Sequence, residues 1–332
     1  MVAITKSFLL ERPVFALSSL TIICGTAGMA ISFLFLSSSH HLDVLAGSAG
    51  FIAGSVLAAG GLISISLQRS IPKYDKPQSP SSRKVIELDP PLNVERWLNH
   101  FQRNQENRFE PEWNAPITLA ADVVRPLLRS LEQFQLGDGG GPAYLIAYDR
   151  ERFLSQSEGT RELVDLWFAE EREHARLLKA AVIRFGGKCI DHHWSFTAFC
   201  LSRKWFGVRF ELTVLLLTEI VSTVYYRMLR RHSNDPALRS MSQLIIRDET
   251  GHVSFHRDRL VRTARTSNAR YGKLWEARFR LLGLGAASML WINHAPGLCA
   301  IGATTNEFYR EVWQELTRFV VRLRFESEQN LQ

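Results

Sequence analysis

The order of apolar and polar positions divides the chain into two parts. From Pro13 to Leu42 no residue carries a formal charge. The apolar part of that run, Val14 to Leu36, is long enough to cross a bilayer. His40, His41 and Asp43 interrupt it, and a second uncharged run follows from Val44 to Gln68. The pattern predicts a two-helix transmembrane hairpin in residues 1–70, with spans at about 14–36 and 44–67. A signal peptide fits less well, because the first run exceeds a normal hydrophobic region and a second follows at once. Ala46, Gly50, Gly54 and Ala58 recur every four residues on the second span. Small residues at that spacing let helices approach closely, either the first span or a second copy of the chain in a homodimer. Residues 71–93 hold five prolines, several serines and mixed charges, the composition of a tether.

From about Val94 onward the pattern is helical, with no strand-like alternation, so residues 94–332 are expected to form an all-α domain. The predicted helices lie at about 116–136, 143–156, 159–185, 207–232, 236–266, 272–292 and 304–325. The run GDGGGP, Gly137 to Pro142, separates the first from the second, Gly186-Gly187 closes the third, and Asn234-Asp235-Pro236 opens a later one. Leu281 to Ala303 is apolar enough to raise a third span. Asn293, His294 and Pro296 interrupt it, so it reads as a core helix and loop.

Charge fixes an orientation. Lys6 and Arg12 precede the first span, Arg69, Lys73, Lys76, Arg83 and Lys84 follow the second, and the turn between has neither residue type. By the positive-inside rule both termini and the helical domain are cytoplasmic. The net charge of +7 suits an anionic membrane surface, and no nucleic-acid motif is present, so a lipid membrane and not nucleic acid is the expected partner. Cys24, Cys189, Cys200 and Cys299 form no paired motif, which fits a reducing compartment and excludes a thiolate metal site.

The chemistry lies in two short stretches, WFAEEREH (Trp167 to His174) and RDETGH (Arg247 to His252). Each puts a glutamate three residues before a histidine, and residues three apart share a helix face. Glu171 with His174, and Glu249 with His252, are two half-sites of the kind that binds iron or manganese. Only two of the ten histidines have this neighbour. Glu219 interrupts an apolar helix, LLLTEIVS, where an unpaired carboxylate would be costly. It lies thirty residues before Glu249, room to climb one helix, turn and return to the same depth. A sixth ligand should come from a helix before residue 159. Glu132 is the first choice and Asp122 the alternative.

These residues resemble the ferritin-like superfamily over roughly Pro116 to Arg265, and within it the branch of acyl-carrier-protein desaturases, ribonucleotide reductase small subunits and N-oxygenases. The desaturase pattern Trp-x-x-Glu-Glu-x-x-His followed by Asp-Glu-x-x-His is matched by Trp167, Glu170, Glu171 and His174, then Asp248, Glu249 and His252. The resemblance implies a ferritin-like four-helix bundle with extra helices. It implies two iron ions, or an iron–manganese pair, held by Glu132, Glu171, His174, Glu219, Glu249 and His252, with Glu171 and Glu249 bridging. Asp248, Trp167 and Glu170 would support the ligands, and Ser222 or Thr223 would stand near an oxygen-binding face. The implied activity is a membrane-anchored oxidoreductase that uses dioxygen to desaturate, hydroxylate or N-oxygenate an apolar or lipid-like substrate. No flavin, haem or iron–sulfur motif is present, so electrons would come from a separate reductase. Iron handling or peroxide scavenging is a second expectation, and a metal-free membrane-tethered scaffold a third.

His256 shares the face of His252 and is either a further ligand or a supporting residue. His294 reads as structural. Arg257, Arg259, Arg262 and Arg265 crowd one helix end, either complementing its dipole or meeting anionic headgroups.

Overall fold

The computed structural model describes residues 19–29, 31–32, 50, 54–55, 93–139, 144–205, 207–267 and 271–328. Every regular element among them is helical. The chain forms two compact units, one of residues 1–87 with 277–289, the other of 88–276 with 290–332.

Of the first unit the described part includes a short apolar helix, Ser19–Met29. A Cβ placed on Gly54 would lie 2.6 Å from the Gly25 carbonyl oxygen and 2.9 Å from the Met29 nitrogen. Only glycine tolerates such an approach, which is the use expected of the small-residue repeat. Part of the first predicted span, most of the second, and the tether up to residue 92 lie outside the described residues.

The second unit is built from α1 (Val94–Glu106), α2 (Ala121–Gly139), the short α3 (Arg150–Leu154), α4 (Thr160–Arg184), α5 (Trp194–Trp205), α6 (Val208–His232), α7 (Pro236–Ser267) and α9 (Thr305–Glu328). Helix α8 (Lys273–Ala300) contributes its ends, its middle belonging to the first unit. α6 and α7 form the most extensive helix pair, α2 and α4 the next, and α4 also meets α7. α1 covers α4, while α9 lies against α6 and α7.

Local chemistry fixes these pairs. Three residues join α6 to α7, which forces the two helices back along each other. Asp235 caps α7, its Oδ1 accepting from the Leu238 amide at 3.1 Å, and its Oδ2 meets Arg184 at 2.8 Å. Arg184 also donates to the carbonyls of Trp113 and Ala115, so one buried guanidinium ties the end of α4 to the α6–α7 turn. At the opposite end of α6, Glu211 accepts from the amides of Ile146 and Ala147 and from Arg203.

α6 is the one helix among the described residues long and apolar enough to cross a membrane. Burial inside the protein accounts for that composition: 72% of its most apolar window is buried, and it holds the buried Glu211 and Glu219.

Several expected boundaries moved. α2 starts five residues later than predicted and continues through Gly137 to Gly139. The helix predicted at 143–156 shrinks to Arg150–Leu154, whereas α1 and α5 were not singled out. α8 runs through Pro296 to Ala300 instead of ending in a loop. Its histidine is tied down there, His294 Nδ1 lying 2.9 Å from Ser130 Oγ, which in turn meets the Tyr225 hydroxyl at 2.7 Å.

Candidate metal centre

The three-residue spacing does what helix geometry dictates. Glu171 and His174 of α4 and Glu249 and His252 of α7 face one another across the bundle, and α6 brings Glu219 to the same depth. Ligand atoms of Glu171, Glu219, Glu249 and His252 all lie within 4.8 Å of one another.

The arrangement is paired. Around His252 Nδ1 stand Glu171 Oε1 at 3.1 Å, Glu219 Oε2 at 3.3 Å and Glu249 Oε2 at 3.5 Å. Around His174 Nδ1 stand the other oxygens of the same two glutamates, Glu171 Oε2 at 3.6 Å and Glu249 Oε1 at 4.0 Å. Glu171 and Glu249 thus each offer one oxygen to each histidine, which is what a carboxylate bridging two metal positions must do.

The far side of each imidazole is held by the opposite helix. His252 Nε2 meets Glu170 of α4 at 2.9 Å, and His174 Nε2 meets Asp248 of α7 at 3.2 Å. The carboxylate preceding each ligand glutamate therefore orients the histidine of the partner helix, a contact that fixes which ring nitrogen is left for a metal. Arg108, just beyond α1, reaches both carboxylates, Asp248 at 2.8 Å and Glu170 at 3.6 Å. The sequence reading did not find it. Its only signal was that two buried carboxylates outside the ligand set need a countercharge.

The other predicted residues sort clearly. Ser222 Oγ donates to Glu249 Oε1 at 3.1 Å, so it touches a ligand. Thr223 donates to the Glu219 carbonyl at 2.7 Å, ordinary helix back-bonding. Trp167 is fully buried, edge-on to His252 and to His256, and acts as a wall. His256 is buried against Trp167 and Phe255 with neither ring nitrogen hydrogen-bonded, and it lies outside the ligand cluster. Arg259 is buried, while Arg257 pairs with Glu326 of α9 at 2.9 Å, so the predicted arginine face is partly internal.

The sixth residue differs from the expectation. Glu132 is turned away, accepting a long contact from the Lys188 amide at 3.4 Å beyond the end of α4. Asp122 is exposed in the first turn of α2. The residue of α2 that feels the charges of Glu171, His174 and Glu249 is Asp138, two residues beyond the predicted helix end and outside the cluster of four. Its carboxyl meets the Tyr226 hydroxyl at 3.4 Å. A Cβ on Gly139 would fall 2.5 Å from the Ala175 Cβ. Glycine at that position lets the end of α2 close onto α4 beside His174, and Asp138 comes with it.

The electrostatics follow from packing these carboxylates and imidazoles together away from water. Loss of water, then the charges of Glu171 and Glu249, push the Asp138 carboxyl well above the usual carboxylate range. The same causes, burial first and then Glu171 and Glu249, raise Glu219. Burial alone would raise Glu171 as well, but the close approach of the His174 and His252 imidazoles, at 3.6 and 3.1 Å, holds it below the usual range. Burial would lower both histidines; the carboxylates around them, Asp248 and Glu171 for His174 and Glu219 and Glu170 for His252, more than offset it.

A metal pair fits these residues. His174 Nδ1, Glu171 Oε1 and Glu249 Oε2 are buried without a hydrogen-bond partner, and orphaned polar atoms are costly unless something else satisfies them. The donors are all oxygen and nitrogen, four carboxylates and two imidazoles, which suits iron or manganese and balances two divalent ions. The chain matches no protein-family model, no curated protein and no solved structure.

Proposed function

We propose that the second unit is a ferritin-like bundle holding two iron ions, and that the chain is a membrane-anchored di-iron oxidoreductase. The supporting observation is the pair Glu171 and Glu249, each offering one oxygen to each of two histidines. Asp138 with His174 would complete one metal position, and Glu219 with His252 the other.

Bound iron would supply dioxygen activation, with electrons from a separate reductase. The residues of the chain do the rest. Glu170 and Asp248 would hold the imidazoles in the ligating tautomer, and Arg108 pairs with both carboxylates. Ser222 donates to Glu249 Oε1 and steadies that carboxylate. Trp167, Phe255, Leu215 and Phe168 belong to a packed cluster with Trp97 and Phe101, which excludes water from one side of the centre. Such exclusion protects a reactive oxidant and favours an apolar substrate. The N-terminal hairpin would deliver the domain to a membrane, where lipid-like substrates reside.

The test is metal content of the full chain, purified in neutral detergent after expression with iron. About two irons per chain, lost in Glu249→Ala and in Glu171→Ala while the helical circular-dichroism spectrum persists, is the expected result. A folded wild-type chain that takes up no metal refutes the reading. Carbonate-resistant membrane association, abolished when residues 1–70 are deleted, is expected of the anchor; a chain released by carbonate overturns that part.

A further inference from the structure

A cavity of about 300 Å³ lies between α6, α7 and α9. Two of its walls are the residues that directly follow ligands: Ile220 after Glu219, and Thr250 after Glu249. Successive helix residues point about 100° apart, so the cavity lies on the adjoining faces of the two helices, α6 and α7, that carry Glu219 and Glu249. Thr223 also lines it, one residue beyond Ser222, which holds Glu249.

Its chemistry is amphipathic. Ile220, Val253 and Phe319 give an apolar lining, and four arginines, Arg227, Arg257, Arg318 and Arg322, supply the charge. Glu315 neutralises part of it, pairing with both Arg227 and Arg318, and Glu326 pairs with Arg257. Four guanidinium groups against two carboxylates leave an excess of two positive charges. Arg322 has no ion pair among the described residues. A guanidinium fork is shaped for a carboxylate or phosphate, and the volume is at the low end of ligand pockets, roughly 300–1,000 Å³.

We propose that this cavity binds a small single-chain organic anion, an alkyl phosphate or carboxylate, with its head on Arg322 and Arg318 and its alkyl body against Val253 and Phe319. That the bound anion is the molecule oxidised, or the head of it, rests on the oxidoreductase reading; the binding itself does not.

The experiment titrates hexyl phosphate against the full chain in neutral detergent at 0.15 M salt, followed by phosphorus NMR, with inorganic phosphate and hexanol as comparators, in metal-free and iron-loaded protein. Hexyl phosphate should bind more tightly than either comparator. Arg322→Gln, a change at an exposed side chain, should weaken it about tenfold, the scale of one charge-assisted contact. Val253→Trp, which fills the cavity, should abolish it, with iron content unchanged in both variants. Phosphatidylglycerol added to the micelles assigns the source: displacement of the probe supports a lipid headgroup, and no displacement supports a free anion. Absence of hexyl phosphate binding, or equal affinity in wild type and both variants, overturns the proposal. Binding to a chain that takes up no iron sinks the oxidoreductase reading alone; iron uptake without binding sinks this inference alone.

Discussion

Exchanging Asp138 for asparagine separates the structure from the simplest reading of the sequence. The substitution keeps the volume, and an amide oxygen still accepts from Tyr226, but one of the four carboxylates of the proposed ligand set is lost. With two divalent cations to balance, the centre is left one charge short. Changes to residues that merely support ligands cost about 10–100-fold in metal affinity, so removal of a ligand should cost at least about 100-fold, or about 2.8 kcal/mol at 1.4 kcal/mol per decade. The metal-free protein should barely notice. Asp138 is held protonated by loss of water and by Glu171 and Glu249, so a neutral carboxyl is exchanged for a neutral amide. A stability change within about 1 kcal/mol is expected. The matched control is Glu132→Gln. Among the described residues the one polar contact of that carboxylate is with the Lys188 amide at 3.4 Å, so metal affinity should be unchanged and stability should shift by no more than about 0.5 kcal/mol. The assay is anaerobic competition between the full chain and a chromophoric iron(II) chelator. Wild-type affinity in Asp138→Asn, or metal loss in Glu132→Gln, would refute the reasoning.

Other consequences are equally direct. Glu170→Leu removes the acceptor on His252 Nε2 and should weaken iron binding about 10–100-fold without changing the number of sites; unchanged affinity would show that the contact orients nothing. Gly139→Val forces a side chain into Ala175 and should destabilise the protein by about 1–3 kcal/mol and lower metal occupancy, with partial rescue by Ala175→Gly. A stable, fully loaded Gly139→Val chain would disprove the close-approach argument. In the metal-free protein Asp138, Glu219, His174 and His252 all have pKa values raised above their unfolded values. The folded state therefore holds more protons than the unfolded state above the ordinary carboxylate and histidine ranges, and stability must fall as pH rises. Burial keeps His256 and His294 neutral, and above pH 7 they titrate little in either state. The metal-free Tm should thus drop between pH 7 and 8.5 while iron affinity rises over the same interval. A metal-free Tm that climbs with pH would contradict the assignment.

Much of the centre was legible because a three-residue spacing on a helix fixes a shared face whatever the tertiary structure does. Glu219 was legible for a different reason: a carboxylate inside LLLTEIVS must be paired or ligating. Asp138 was hidden by its own neighbours. Gly137, Gly139 and the glycines after them read as a break, since glycine costs about 1 kcal/mol inside a helix. The close approach to Ala175 goes with a helix that continues past the predicted end as far as Gly139 and carries Asp138 with it. Arg108 was hidden because its partners, Glu170 and Asp248, are far away in sequence and meet only when α4 and α7 face each other. α1 was missed because its buried side, Trp97 and Phe101, amounts to two aromatic residues among polar ones. The arginine-lined cavity draws residues from three helices, and no local pattern announces such a set.

The central claim is that two metal ions share Glu171 and Glu249. X-ray absorption at the iron edge, recorded on the iron-loaded full chain, tests it most directly. The account predicts oxygen and nitrogen neighbours with no sulfur, and iron–iron scattering at roughly 3.5–4 Å, the separation of two-metal sites. That scattering should vanish in Glu249→Ala. Iron bound singly, without a second iron in that range in the wild-type chain, would contradict it.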